Sequence, residues 1–353
     1  MTSIRIGEVA LRPPLALAPM AGMTDTAFRR LVKREGGCGL VVTEMVSAEG
    51  LVRGIDRTLE YAEFTEEERP VSVQIFGGDP AKMAAAAQIV EAMGADVVDV
   101  NMGCPVPKIA RHDAGCGLMR HPDRAAAIVA AMARAVRIPV TVKMRAGWDD
   151  RHVNAPELAE RLQDAGAAAV AVHGRTAAQA YTGVADWTLV DRVAARLRIP
   201  VFGSGDCVEP EQILARLHEG RVAGVLVGRG ALRNPWIFRQ ASDLAEHRPP
   251  REVTPADRGR FLLDYIDLLL GDGDGEVRGF RHRAPGAADG GVNRPAEGDA
   301  RGRERWVINK LRALASWYTK GLENGSHLRV AINRAESIDA LRETIQRFFG
   351  LDA

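Results

Sequence analysis

The chain has 353 residues, 46% hydrophobic and 26% charged, with 47 Lys and Arg against 46 Asp and Glu. That length suits one large domain plus a smaller one, and that composition suits a soluble globular protein. A net charge of +1 neither requires nor excludes a nucleic-acid partner, so such a case rests on local charge, and no stretch approaches a membrane span. Met1–Arg12 carries no signal-peptide pattern, and the four cysteines (Cys38, Cys104, Cys116, Cys207) are dispersed with no C-x-x-C pair. This spacing argues against zinc, an iron–sulfur cluster or a disulfide framework, so no metal is expected and a reducing cytoplasm fits.

Eight short apolar runs recur along the first two-thirds of the chain: Leu15–Ala18, Gly39–Thr43, Val71–Ile75, Val97–Val100, Val140–Lys143, Ala169–Val172, Pro200–Gly203 and Gly224–Val227. Each is bounded by Gly, Pro or polar residues, the look of strands buried on both faces. Helical signals follow most of them. Thr24 is placed to cap a helix through Phe28 and Leu31, and Asp79-Pro80 supplies a cap and a first-turn proline for the Ala-rich stretch to Met93. Pro122–Val136, Pro156–Ala165 and Pro210–Leu217 repeat the device. Strand–helix repeated eight times predicts an α/β fold, a (β/α)8 TIM barrel. The competing doubly wound sheet carries a Gly-rich turn after its first strand, whereas here the first run opens into Ala18-Pro19-Met20-Ala21-Gly22.

The barrel is expected to end near Arg248-Pro249-Pro250, giving a catalytic domain over 1–248 and a small helical domain over 249–353. Helices are expected over Thr254–Leu270, Glu304–Lys320 and Ser337–Phe349. Gly271–Arg303 is crowded with Gly, Arg, Asp and Ala, with only Val277, Phe280 and Val292 as large apolar residues, and reads as a disordered insertion.

Active-site groups of such a barrel lie at the C-terminal ends of its strands. Those positions hold Pro19 and Met20, Gln74, Asn101 and Cys104, Lys143 with Arg145 beyond it, and His173 followed by Arg175. The seventh strand opens into Gly203-Ser204-Gly205-Asp206 and the eighth into Gly228-Arg229-Gly230. Barrel phosphate sites sit in these last two loops, where glycines admit close approach to backbone N–H groups and Arg229 adds a charged fork. Lys143 fits either a Schiff-base lysine or a cation that stabilises a reduced cofactor ring. His173 and Gln74 fit cofactor contacts or structural core groups. Cys104, on a turn between Gly103 and Pro105, is a small buried hydrophobe or a reactive thiol.

Together these residues resemble the tRNA-dihydrouridine synthase family, closest to its bacterial B-type, nitrogen-regulation-like branch. The resemblance rests on Ala18–Asp25, Thr43-Glu44-Met45, Val73–Gly77, Asn101–Pro105, Val142–Arg145 with Gly147-Trp148, and Val172–Thr176. It continues through the two glycine loops, Trp317–Leu322 and Arg329–Arg334, so it covers nearly the whole chain. It implies an FMN-dependent enzyme that reduces uridines of tRNA with NADPH, a helical tRNA-binding domain and, by expectation, a monomer. It implies FMN contacts from Pro19, Met20, Ala21, Gln74, Lys143, His173, Ser204, Gly205, Asp206, Gly228 and Arg229. It makes Cys104 the acid and places Asn101, Arg145 and Arg175 near the uracil or its backbone. A thiol with an ordinary pKa near ~8.5 is protonated at neutral pH, which suits an acid better than a nucleophile. The alternative is an FMN enzyme acting on a free small pyrimidine, as dihydroorotate dehydrogenases do. The tail speaks against it: Arg301, Arg303 and 304–353 carry ten Lys and Arg against six Asp and Glu, with Trp306, Trp317 and Tyr318 interleaved.

Overall fold

The computed structural model of the chain describes residues 1–110, 113–271, 279–285 and 300–351. Eight parallel strands form a barrel: β1 (Leu15–Leu17), β2 (Leu40–Val42), β3 (Val71–Phe76), β4 (Val97–Met102), β5 (Val140–Arg145), β6 (Ala169–His173), β7 (Val201–Ser204) and β8 (Gly224–Val227). Each pairs with the next in sequence, and β8 returns to β1 with Leu226 opposite Ala16, which closes the ring. Their Val, Leu and Ile side chains are buried on both faces, as the continuous apolar runs require, and the boundaries lie within two residues of those expected.

The helices around the barrel start where sequence chemistry places them. Asp79 accepts the Lys82 N–H at 2.9 Å at the head of Pro80–Ala92. One cap differs from expectation. The helix Thr26–Glu35 is capped by Asp25, which accepts the Phe28 N–H at 3.0 Å, because Thr24 is engaged in the preceding turn, its hydroxyl accepting the Met20 N–H at 3.0 Å. An N-terminal hairpin, Ile4–Ile6 against Val9–Leu11, was not expected. Its Ile6 and Leu11 pack with Phe202 and Leu226 and close the barrel floor.

After the barrel come α1 (Pro255–Leu270), α2 (Ala300–Tyr318), α3 (Gly325–Arg334) and α4 (Ile338–Phe349). Thr254 caps α1 and Ser337 caps α4, as their side-chain chemistry suggests. The helices share one core with the barrel rather than hanging from a linker. The Phe28 ring meets Phe261 of α1 at 6.0 Å, Trp236 meets Phe261 at 5.4 Å, and Phe261 stacks on Tyr318 of α2 at 5.7 Å. Each such ring buried contributes about 1.5–3 kcal/mol, so the two parts form one packed body.

Within the stretch expected to be disordered, 279–285 departs from that expectation. Arg281–His282 pairs antiparallel with Phe64–Thr65, the Phe280 carbonyl accepts the Glu66 N–H at 2.8 Å, and His282 stacks on Phe64 at 4.7 Å. Main-chain bonds to a free strand edge hold the segment, and such bonds need no apolar side chains. Residues 300–303 belong to α2. The rest of the 271–303 reading, residues 272–278 and 286–299, lies outside the described residues. No helix among the described residues is long and apolar enough to cross a membrane.

Candidate active site

A cavity of about 490 Å³ opens at the C-terminal end of the barrel. Of the fifteen residues named at the outset as catalytic or binding, the strand-end and loop positions converge on it: Pro19, Met20 and Ala21 after β1, Gln74 on β3, Asn101 and Cys104 at the end of β4, Lys143 and Arg145 on β5, and His173 on β6. Ser204, Gly205 and Asp206 after β7, with Gly228 and Arg229 after β8, complete the wall. Arg175 alone does not line it.

The strand register explains how the polar groups are oriented. Gln74 lies opposite Asp99, Asp99 opposite Thr141, and Asn101 opposite Lys143. Thr141 donates its hydroxyl to Asp99 at 2.6 Å, Gln74 Nε2 donates to the other Asp99 oxygen at 2.7 Å, and Asn101 Nδ2 donates to Gln74 Oε1 at 2.8 Å. Asn101 Oδ1 then accepts the N–H groups of Gly103 and Cys104 at 3.1 and 2.9 Å. A buried carboxylate thus fixes an amide, which fixes a second amide, which fixes the cysteine turn. Burial pushes the Asp99 carboxyl up, while Gln74, Thr141 and Lys143 favour its charge. Gln74 keeps one Nε2–H for a ligand.

The wall is cationic. Lys143, Arg145, Arg175 and Arg229 all disfavour charge on His173, and with burial as the largest cause its imidazole is pushed down to about 2. His173 is therefore neutral, a donor and acceptor that adds no charge. Burial and Arg145 also lower Lys143, to about 8. Arg145 is committed elsewhere: it donates to the carbonyls of Gly103 (2.7 Å), Thr176 (3.0 Å) and Ala180 (2.8 Å). It fixes the cysteine loop to the loop after β6. Arg175, 2% exposed, donates to both Asp206 oxygens at 2.8 Å and to the carbonyls of Thr182 and Gly183. Arg175 is expected near the uracil or its backbone; here its Nε and Nη2 groups hold Asp206 and the carbonyls of 182 and 183, and its Nη1 lies 3.4 Å from His173 Nε2, behind the cavity lining. Burial alone would raise the Asp206 carboxyl; the Ala185 N–H and Arg175 outweigh it and hold it low.

The glycines at the ends of β7 and β8 have different reasons. A Cβ on Gly203 would fall 2.1 Å from the Trp187 ring, and one on Gly230 would fall 2.3 Å from the Cys207 carbonyl, so both are packing glycines. A Cβ on Gly228 would meet only Ala18 and Met20 at 3.6 Å and would stand in the cavity itself. Gly205, at φ +125°, lies in a region L side chains avoid, and its Cβ would fall 2.6 Å from Ala185. Gly205→Ala is therefore expected to destabilise the fold by about 1–3 kcal/mol, read as a lowered denaturant midpoint. An unchanged midpoint would mean the loop relaxes freely.

The Cys104 thiol is half-buried, and burial raises its pKa although the Val106 N–H favours the thiolate. It is protonated at neutral pH. Cys116 also sits high, at about 11, but packs with Ala110, Ala177 and Trp148 away from the cavity, and its N–H donates to the Cys104 carbonyl at 3.1 Å. Cys116→Ala is expected to lower stability by about 1–2 kcal/mol and leave turnover near the parent's, with a melting curve and a rate on one preparation as the check. Sequence reasoning passed over Asp99, visible only as an acid inside an apolar run. It also passed over Tyr181, an exposed ring 4.9 Å from the Arg229 guanidinium, and read Trp317 as an RNA-facing aromatic, whereas it lines this cavity from α2. Among the described residues no group of three or more His, Cys, Asp and Glu is arranged to hold a metal.

A thiol and a cationic wall around a deep cavity at the C-terminal mouth of a (β/α)8 barrel define a barrel enzyme. The profile of the family described as Dihydrouridine synthase (Dus) matches residues 16–269. A probable tRNA-dihydrouridine synthase of Rhodobacter capsulatus is 41% identical over 271 residues, 76% of this chain and 83% of that one. The tRNA-dihydrouridine synthase B of Xanthomonas campestris is 36% identical over 346 residues, 98% of this chain and 96% of that one. The chain belongs to the dihydrouridine synthase family. Among solved structures, morphinone reductase aligns with a TM-score of 0.51 at 14% identity over 72% of this chain and 91% of that one, a likeness of fold.

Proposed function

We propose that this protein reduces particular uridines of tRNA to 5,6-dihydrouridine, using FMN as its resident cofactor, NADPH as reductant and Cys104 as the proton donor to C5. The observation that carries the proposal is the pairing, on one cavity wall, of a protonated thiol with Lys143, whose ammonium has no hydrogen-bond partner among the described residues. The names of the family relatives support tRNA as the substrate class.

The residues fit a flavin mononucleotide. Gly228 leaves space that a side chain would fill, and Arg229 stands beside it on the cavity wall. Ser204, Gly205, Asp206, Gly228 and Arg229 would hold the phosphate and its chain. Pro19, Met20, Ala21, Gln74, Lys143 and His173 would hold the ring. When bound, FMN supplies a hydride for C6 of the uracil and is recharged by NADPH. Lys143 stabilises negative charge at the ring edge. Asn101 holds the turn that aims Cys104, Arg145 braces that turn from behind, and the Cys104 thiol delivers a proton to C5. Arg175 serves by orienting Asp206.

Trp317, contributed to the cavity by α2 beside the barrel residues, supports a substrate that reaches the helical part over a free pyrimidine. The test is a map of dihydrouridine in tRNA from cells lacking the protein and from the same cells with it restored. Loss at defined positions, regained on restoration, is expected; an unchanged map overturns the proposal.

A further inference from the structure

The helix α2 meets the barrel mouth at two places seven residues apart, two turns along one face: Trp317 in the cavity wall and Lys310 against the loops after β1 and β2. Lys310 Nζ lies 2.9 Å from Asp25 Oδ2 and 3.8 Å from Glu44 Oε1, and donates to the Gly22 carbonyl at 3.4 Å. Its side chain is only 16% exposed, Asp25 equally so and Glu44 7%. Tyr265 of α1 donates its hydroxyl to the same Asp25 oxygen at 2.7 Å. Glu44, just past β2, accepts the Gly22 N–H at 2.5 Å through its other oxygen. The turn between Met20 and Thr24 is closed by the Met23 and Thr24 N–H groups donating to the Met20 carbonyl. Two carboxylates from two barrel loops therefore meet one ammonium from the helical part, and the turn they clamp carries Met20, Ala21 and Met23 into the cavity.

Burial alone would lower the Lys310 ammonium, but Asp25 and Glu44 outweigh it and keep it charged. Burial raises Glu44, against Lys310 and the Gly22 N–H, so removing Lys310 would leave Glu44 to protonate or to move, and the turn with it.

We propose that Lys310 is a positioning residue through which the helical part holds the Met20–Thr24 turn in the shape the flavin needs, so that this part acts in cofactor binding as well as on RNA. This rests on the reading of the cavity as an FMN site. It is tested by titrating FMN into the apoproteins of the parent, Lys310→Met and Lys310→Arg, with amide hydrogen exchange on the same samples. The parent's binding tests the flavin reading alone: a parent that binds no FMN overturns that reading and this one with it. Given a parent that binds, Lys310→Met is expected to weaken FMN on the order of tenfold, within the 5–150-fold typical of coupled sites. The Gly22, Met23 and Thr24 amides should exchange faster while β3 and β4 amides stay protected, and Lys310→Arg should restore most of both. A merely structural role would speed exchange across the barrel as well. Should Lys310→Met fail to fold, Asp25→Asn combined with Glu44→Gln, which keeps acceptors for the Phe28 and Gly22 N–H groups and loses both ion pairs to Lys310, carries the same test. Parental FMN affinity and parental exchange at the turn, in whichever variant folds, overturn the proposal.

Discussion

Cys104→Ala is expected to bind FMN, to oxidise NADPH at a near-parental rate with an artificial electron acceptor, and to form dihydrouridine about 10²–10⁴-fold more slowly. The first half-reaction involves no uracil and needs no acid. In the proposed reaction the second leaves carbanion character at C5, which the thiol on the cavity wall would quench. Its raised pKa keeps the proton on sulfur at neutral pH, which an acid requires and a nucleophile does not. The cavity should otherwise be little disturbed, because the cysteine turn is held by backbone N–H bonds to Asn101 and by Arg145 on the Gly103 carbonyl, none of which uses the sulfur. Stopped-flow flavin reduction beside a dihydrouridine assay on one tRNA reads both halves. Parental dihydrouridine formation by Cys104→Ala would remove the thiol from the chemistry.

The second large effect belongs to Lys143. Its ammonium sits at about 8, below lysine's usual 10.5, because burial and Arg145 disfavour the charge more than Asp99 supports it. Between those two values the unfolded chain holds a proton that the native apoprotein lacks, so apoprotein stability rises with pH through that window. A bound hydrogen-bond acceptor beside Lys143 acts in the opposite sense. In the proposed site it is a ring acceptor of FMN, and the hydrogen bond it takes from the ammonium favours the charged lysine, so FMN binding is expected to take up a proton near and above pH 8 and to weaken as pH rises through that value. Lys143→Met is expected to lower FMN affinity at about neutral pH by about 1.5–3 kcal/mol, the worth of a hydrogen bond to a charged group. It should also lose most of the weakening that the parent shows above pH 8. Fluorescence titrations at two pH values, with calorimetry in two buffers to count the proton, check both. A variant with the parental pH slope would assign the titration to another group.

Much of the fold was legible because a strand buried on both faces leaves a continuous apolar run, and eight such runs with helices between them admit few architectures. What escaped was held by other means. The hairpin Ile4–Ile6 and Val9–Leu11 has strands of three residues each, too short to show a period. The α3 helix has only Gly325, Leu328 and Ile332 buried, too sparse an apolar stripe to stand out. Arg281–His282 is fixed by main-chain pairing, which composition does not report. At the site, strand-end position and residue type identified the wall but not the division of labour within it. Arg145 and Arg175 carry the same signal as Arg229 in one dimension. Only the carbonyls and the carboxylate around them show that they brace loops. Asp99 reads as a flaw in an apolar strand until its register against Gln74 and Thr141 makes it the root of the chain that ends at Cys104.

The most direct test is reconstitution. Purified FMN-loaded protein, NADPH and an unmodified tRNA transcript are incubated beside a parallel reaction with free uracil and uridine monophosphate, and dihydro-products are quantified against NADPH consumed. The account predicts dihydrouridine at defined positions of the tRNA, one NADPH consumed for each, and negligible reduction of the free pyrimidines. Efficient reduction of a free pyrimidine with no dihydrouridine in the tRNA would contradict it.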